Sequence, residues 1–196
     1  MIYNTECRLP YCDPNNLTEE QQKFYDDNVV AMQPMPYIWL TENKELNGPS
    51  NVMLHEADIG NMLFPLNRAM IAKSIERCGG KAHEIAILIT VTNANAQYGM
   101  YAHTQLAKKF GVTDEQIAMV MNGQKPADLD EKESAAYDLA SALTKPGPIP
   151  GSVYDSCVKR LGQPGLNSLC LAIAMFNLIG TILKTYNEPV PEYRDK

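Results

Sequence analysis

A glutamate and a histidine nineteen residues apart, Glu84 and His103, are the side chains of this chain best suited to moving a proton. An imidazole titrates near neutral pH, and burial can push a carboxylate into the same range, so such a pair serves general acid–base chemistry. Glu84 falls in a segment whose Ile85, Ile87, Leu88, Ile89 and Val91 are apolar nearly all round. There an unpaired carboxylate must find a hydrogen-bond donor or take up a proton. The alternative reading makes it a carboxylate at a helix start near Lys81, favoured by the helix dipole. His103 shares a helical stripe with Ala96 and Gly99, at spacings of three and four residues. Its imidazole looks along a lane of two very small side chains, which either receives a neighbouring helix or leaves room for a ligand. Tyr98 and Tyr101 flank it and could offer phenol hydrogen bonds to a substrate oxygen, although Tyr101 equally suits a subunit contact. His83 adjoins Glu84 but faces about 100° away on a helix, which excludes it as the partner of that carboxylate.

The elements that must position these residues read as helices. Thr18-Glu19-Glu20-Gln21 is a capping box opening a helix through about Val30, and Thr113-Asp114-Glu115-Gln116 opens another that runs to about Asn122-Gly123. The segment Met32 to Trp39, with two prolines and four bulky apolar groups, is a loop closing over core or over a pocket mouth. Asn51 to Arg68 has helical spacing, with Pro65 expected to disrupt its last turn, and Cys78-Gly79-Gly80 ends a further short helix. The β-branched run from Lys81 fits an internal helix or a strand. Asn95 is a candidate N-cap for the helix carrying His103, and Gly111 its stop. Helices are also expected at Asp130 to Leu143, Ser152 to Leu161 and Pro164 to Tyr186, and no period-two pattern is long enough to build a sheet. The chain thus reads as all-α, with an extended arm over residues 1–16, of a kind that often lies across a neighbour, and a single domain over 17–196.

Composition narrows the functional classes. A net charge of −6 without a basic block argues against nucleic acid as a partner. The N-terminus has neither the charged head nor the apolar core of a signal peptide, so a cytoplasmic setting is the default. The apolar run Leu166 to Leu183 is interrupted by Asn167, Ser168, Asn177 and Thr181, which suits a buried central helix better than a membrane span. Five scattered cysteines match no common redox motif and read as reduced, mostly buried thiols. Three widely separated histidines give no metal-ligand spacing, and neither a phosphate loop nor a dinucleotide fingerprint occurs, so no metal or cofactor is expected.

The stretch Ala96-Gln97-Tyr98-Gly99-Met100-Tyr101-Ala102-His103, preceded by Glu84 and followed by Phe110-Gly111-Val112-Thr113, resembles the core repeat of the carboxymuconolactone decarboxylase-like (AhpD-like) family. In the thiol branch of that family, cysteines precede the histidine by seven and four residues. Here those positions are Ala96 and Gly99, while the glutamate and histidine are kept. Many relatives without cysteines read Tyr-Glu-Trp where this chain has Tyr98-Gly99-Met100. His55 falls where relatives often carry a similar histidine, in a helix that packs beside the repeat, and its residue type suits a structural role as well as a substrate contact. The resemblance implies an AhpD-like helical bundle, assembled as a homo-oligomer (trimer or hexamer). It also implies a cofactor-free decarboxylase acting on a small molecule, a carboxylated lactone or a related unsaturated or keto acid of aromatic or secondary metabolism. His103 would donate the proton, Glu84 would orient or recharge it, and Tyr98 would supply an oxyanion hydrogen bond. Ala96, Gly99, Tyr101 and His55 would contact substrate. An isomerase or cyclase could use the same relay. A thiol peroxidase would require Cys78 or Cys170 beside His103, and a non-enzymatic oligomeric binding protein would need no relay at all.

Overall fold

A computed structural model describes residues 7–191. These form eight helices: α1 (Glu19–Met32), α2 (Pro49–His55), α3 (Ala57–Cys78), α4 (Gly80–Asn93), α5 (Gln97–Lys109), α6 (Asp114–Met121), α7 (Glu131–Leu143) and α8 (Gly151–Tyr186). Among the described residues the only β pairing is the isolated bridge Leu40 to Leu46. The signal-peptide question concerns Met1 to Glu6, which lie outside the described residues.

The bundle is organised around α4. Its residues Ala82 to Val91 are buried without interruption, and it packs against α3, α5, α6, α7 and α8. Enclosure on all sides is why its β-branched residues are helical: tertiary burial outweighs their modest preference for strands. Both expected capping boxes form, Thr18 with Gln21 and Thr113 with Gln116. A third, Asp130 with Glu133, opens α7.

Three local expectations change. The helix expected from Asn51 to Arg68 is two helices, broken at Glu56 (φ −120°, ψ 61°). Pro65 does not end α3, which continues to Cys78; Pro65 is solvent-exposed, so water can reach the carbonyl its missing N–H leaves free. Asn95 takes a left-handed conformation (φ 52°) rather than capping α5, whose N-cap is Ala96 without a side-chain bond. Gly111, with φ 88°, follows the end of α5 as expected. The two helices expected on either side of Gly162 are both present and abut at a kink where that glycine has φ 70° and ψ 160°; they are numbered together as α8.

By length and composition α8 could cross a membrane, but 56 % of its most apolar window is buried inside the protein. Leu166, Leu169, Ile173, Phe176, Ile179 and Leu183 supply that burial, against α3, α4 and α7. The described part of the N-terminal arm crosses its own chain. The Arg8 N–H donates to Tyr186 O (2.9 Å), and the Asn51 side chain donates to Pro10 O (3.0 Å).

Candidate functional site

A cavity of about 340 Å³ lies between α2, α3, α4, α5 and α8. Met32, the last residue of α1, and Met35 and Tyr37, from the proline-bearing loop that follows, complete its wall, so this loop serves a pocket. That strap is held by side chains of α5. Tyr98 Oη donates to Ile38 O (2.9 Å) and Tyr101 Oη accepts from Ile38 N–H (3.0 Å). Lys109 donates to Pro34 O (3.3 Å), and just before the strap Arg68 donates to Ala31 O in the last turn of α1 (3.2 Å).

Inside the cavity, α4 and α5 bring Glu84 and His103 together, with Nδ1 of the imidazole 2.8 Å from Glu84 Oε2. Glu84 is buried and His103 is 7 % exposed. Lys81 turns to Glu133 (3.4 Å), which removes it as the partner of Glu84. Because a carboxylate only accepts, Nδ1–H is the donor, and Nε2 is the atom left for the cavity. The imidazole meets the Phe176 ring edge-on, at 4.6 Å between centroids and 88° between planes. Such an arrangement fixes the ring's tautomer and orientation and can pass a proton to or from a ligand.

The remaining expected site residues divide. Gly99 and Tyr98 line the cavity. Gly99 also lets α4 and α5 approach closely, since a Cβ there would lie 3.1 Å from Val91 Cγ1. Tyr98 is a wall residue whose hydroxyl proton is already committed to Ile38 O, which corrects its expected role as an oxyanion donor. Burial, then the neighbouring Tyr37, holds its phenol well above the ordinary range. Ala96, Tyr101 and His55 do not line the cavity. Ala96 is the N-cap of α5, and its Cβ lies 3.5 Å from where a Gly99 Cβ would sit, so it keeps its place beside Gly99 without reaching the cavity. Tyr101 holds the strap. His55 Nε2 lies 3.0 Å from Pro10 O, so it pins the N-terminal arm rather than contacting substrate.

Residues that the sequence did not single out complete the site. Arg68 and Lys109 border the cavity, and neither is paired with a carboxylate among the described residues. Tyr37 lies near Glu84; desolvation first, and then that carboxylate's charge, push its phenol up. His83 also borders the cavity, but bonds Ser74 Oγ through Nδ1 (2.9 Å). Desolvation, the largest influence, pushes its pKa down to about 4. Neither Cys78 nor Cys170 lines the cavity, and burial raises both thiols. Among the described residues no group of three potential ligands could hold a metal ion.

No family model, no curated protein and no solved structure matches the chain.

Proposed function

We propose that the protein is a cofactor-free lyase, a decarboxylase acting on a carboxylated lactone or a related unsaturated or keto acid. The observation that carries this reading is the buried Glu84–His103 hydrogen bond at the wall of a largely apolar cavity. It is joined by the resemblance of residues 84–113 to carboxymuconolactone decarboxylase-like proteins. The cations Arg68 and Lys109 give an acidic substrate its electrostatic partners at the cavity wall, while the apolar lining takes the rest of the molecule. The C–C bond to the carboxylate breaks, carbon dioxide leaves, and the electron pair passes onto a conjugated carbonyl oxygen. The resulting enolate carbon takes the proton from His103 Nε2, and Glu84 balances the imidazolium charge before that transfer. A water proton then recharges the ring.

We place the protein in the cytoplasm as a homo-oligomer. Ile59, Met62 and Leu66 lie exposed along one face of α3, an apolar surface that assembly would cover. Light scattering tests this, with a monomer of about 21.8 kDa counting against it. The reaction is tested by measuring carbon dioxide release from a panel of carboxylated lactones, unsaturated acids and β-keto acids after exhaustive chelation. Release by the native protein but not by His103→Ala is expected. Release that requires a specific added ion, or that survives in His103→Ala, overturns the reading.

A further inference from the structure

His83 stands beside Glu84 on α4 and takes no part in its hydrogen bond. It is 0 % exposed, and its Nε2 is buried without a hydrogen-bond partner among the described residues. A native fold seldom leaves a buried polar atom unpaired, because its lost hydration is not repaid. This one belongs to a ring that borders the cavity together with Glu84 and His103.

The neighbours of the ring define its chemical form. The Ser74 hydroxyl lies 2.9 Å from Nδ1 and makes no other hydrogen bond among the described residues, and we assign its proton to this contact because that pairs the serine's one donor. Nδ1 is then the acceptor, and the ring's own proton sits on Nε2. Burial keeps the ring neutral, against the opposing pull of the Glu84 charge, while the imidazole of His103 acts in the same direction as burial. Two imidazoles thus flank one carboxylate in different states: one is held by the carboxylate, and the other is a neutral donor held by a serine.

We propose that His83 is a second catalytic imidazole, whose Nε2–H donates a hydrogen bond to the substrate oxygen on which negative charge gathers as the carboxylate leaves. The reaction named here rests on the decarboxylase reading; the hydrogen bond requires only an oxygen acceptor on an apolar body. The proposal gives His83 the role that the Tyr98 phenol cannot fill while its proton is bound to Ile38 O. A neutral donor suits this place, since it steadies an oxyanion without competing with His103 to protonate carbon. Because His83 has no exposed surface, Phe176 must move aside for the oxygen to reach Nε2. That ring leans edge-on against both imidazoles, 6.4 Å from His83 and 4.6 Å from His103.

The test uses binding, so it does not depend on turnover. 2-Naphthol and 2-methylnaphthalene are apolar bicycles that differ in one oxygen, and both are titrated by fluorescence. The preference for 2-naphthol over 2-methylnaphthalene is expected to fall about tenfold from the native protein to the double variant Ser74→Ala/His83→Phe, the scale of a buried hydrogen bond. The same variant is expected to melt no lower than the native protein, because the unpaired atom and its serine partner are removed together. An unchanged preference, or native protein that binds neither probe, overturns the proposal. If the double variant does not fold, nitrogen-15 histidine spectra of the native protein decide. A His83 Nε2–H signal that shifts on adding 2-naphthol supports the proposal, and an unmoved one overturns it. The reaction can fail separately: a preference that depends on His83, in a protein that releases no carbon dioxide, sinks the decarboxylase reading and leaves the hydrogen bond standing.

Discussion

Replacing Gly48 by alanine tests how tightly the wall of the cavity is built. Gly48 precedes α2 with φ 62° and ψ −141°, a conformation that strains an L side chain by roughly 1–2 kcal/mol. A Cβ there would sit 2.6 Å from Cδ1 and Cζ of Tyr98 and closer still to Cε1. The Tyr98 ring has little freedom to yield, being buried, hydrogen-bonded to Ile38 O and edge-on to Tyr37 and Tyr101. Overpacking of this kind costs about 1–3 kcal/mol, so the expected loss for Gly48→Ala is about 2–5 kcal/mol. Gly123→Ala separates the two contributions. Gly123 has φ 72° with nothing within 4 Å of the added Cβ, so only the conformational strain applies. Urea unfolding followed by circular dichroism should place Gly48→Ala at least about 1 kcal/mol below Gly123→Ala, with equal slopes. Equal losses would refute the argument that the Tyr98 ring is fixed.

Tyr98→Phe removes the bond to Ile38 O and should cost about 1 kcal/mol of stability while leaving turnover within about threefold; a hundredfold loss would return the phenol to the chemistry. The folded chain holds His83 near pH 4 against an ordinary 6.5, so the unfolded chain binds this proton first. Its contribution is complete above pH 6.5 and is lost as pH falls toward 4, roughly 3 kcal/mol in all. Urea midpoints measured across that range should fall less steeply for Ser74→Ala/His83→Phe than for the native protein, and parallel curves would contradict the assignment. Burial pushes the Cys157 thiol up to about 11 and raises Cys78, so a disulfide reagent at neutral pH should label both far more slowly in the folded than in the unfolded protein. Rapid labelling of either would contradict their burial.

The helical character was legible where a local rule governs it. Hydroxyl-to-amide capping is written within four residues, and the boxes at Thr18 and Thr113 form as read. The Glu84–His103 contact was legible because an acid on an all-apolar helix must be satisfied, and the imidazole carried by the next helix satisfies it. What escaped depends on tertiary placement. His83 was set aside for facing about 100° from Glu84, a sound inference on a half-exposed helix. On a helix enclosed on every side both directions lead inward, and here both reach one cavity. Arg68 and Lys109 lie on separate helices, and only the tertiary fold brings both to the border of one cavity. His55 was placed only by resemblance, and the N-terminal arm claims its side chain. Ala96 does lie beside Gly99, but the cavity opens on the other members of that stripe, Gly99 and His103.

The central claim is that Glu84 and His103 act as one proton-transfer unit, and a double-mutant cycle on turnover tests it most directly. The substitutions are His103→Ala, Glu84→Gln and both together, with the helical signal checked first. Each single variant should lose about a hundredfold or more, the scale of a positioned general acid. The double variant should be little worse than either, because residues acting as a unit do not lose their effects additively. Near-native turnover in the singles, or losses that multiply in the double, would contradict the account.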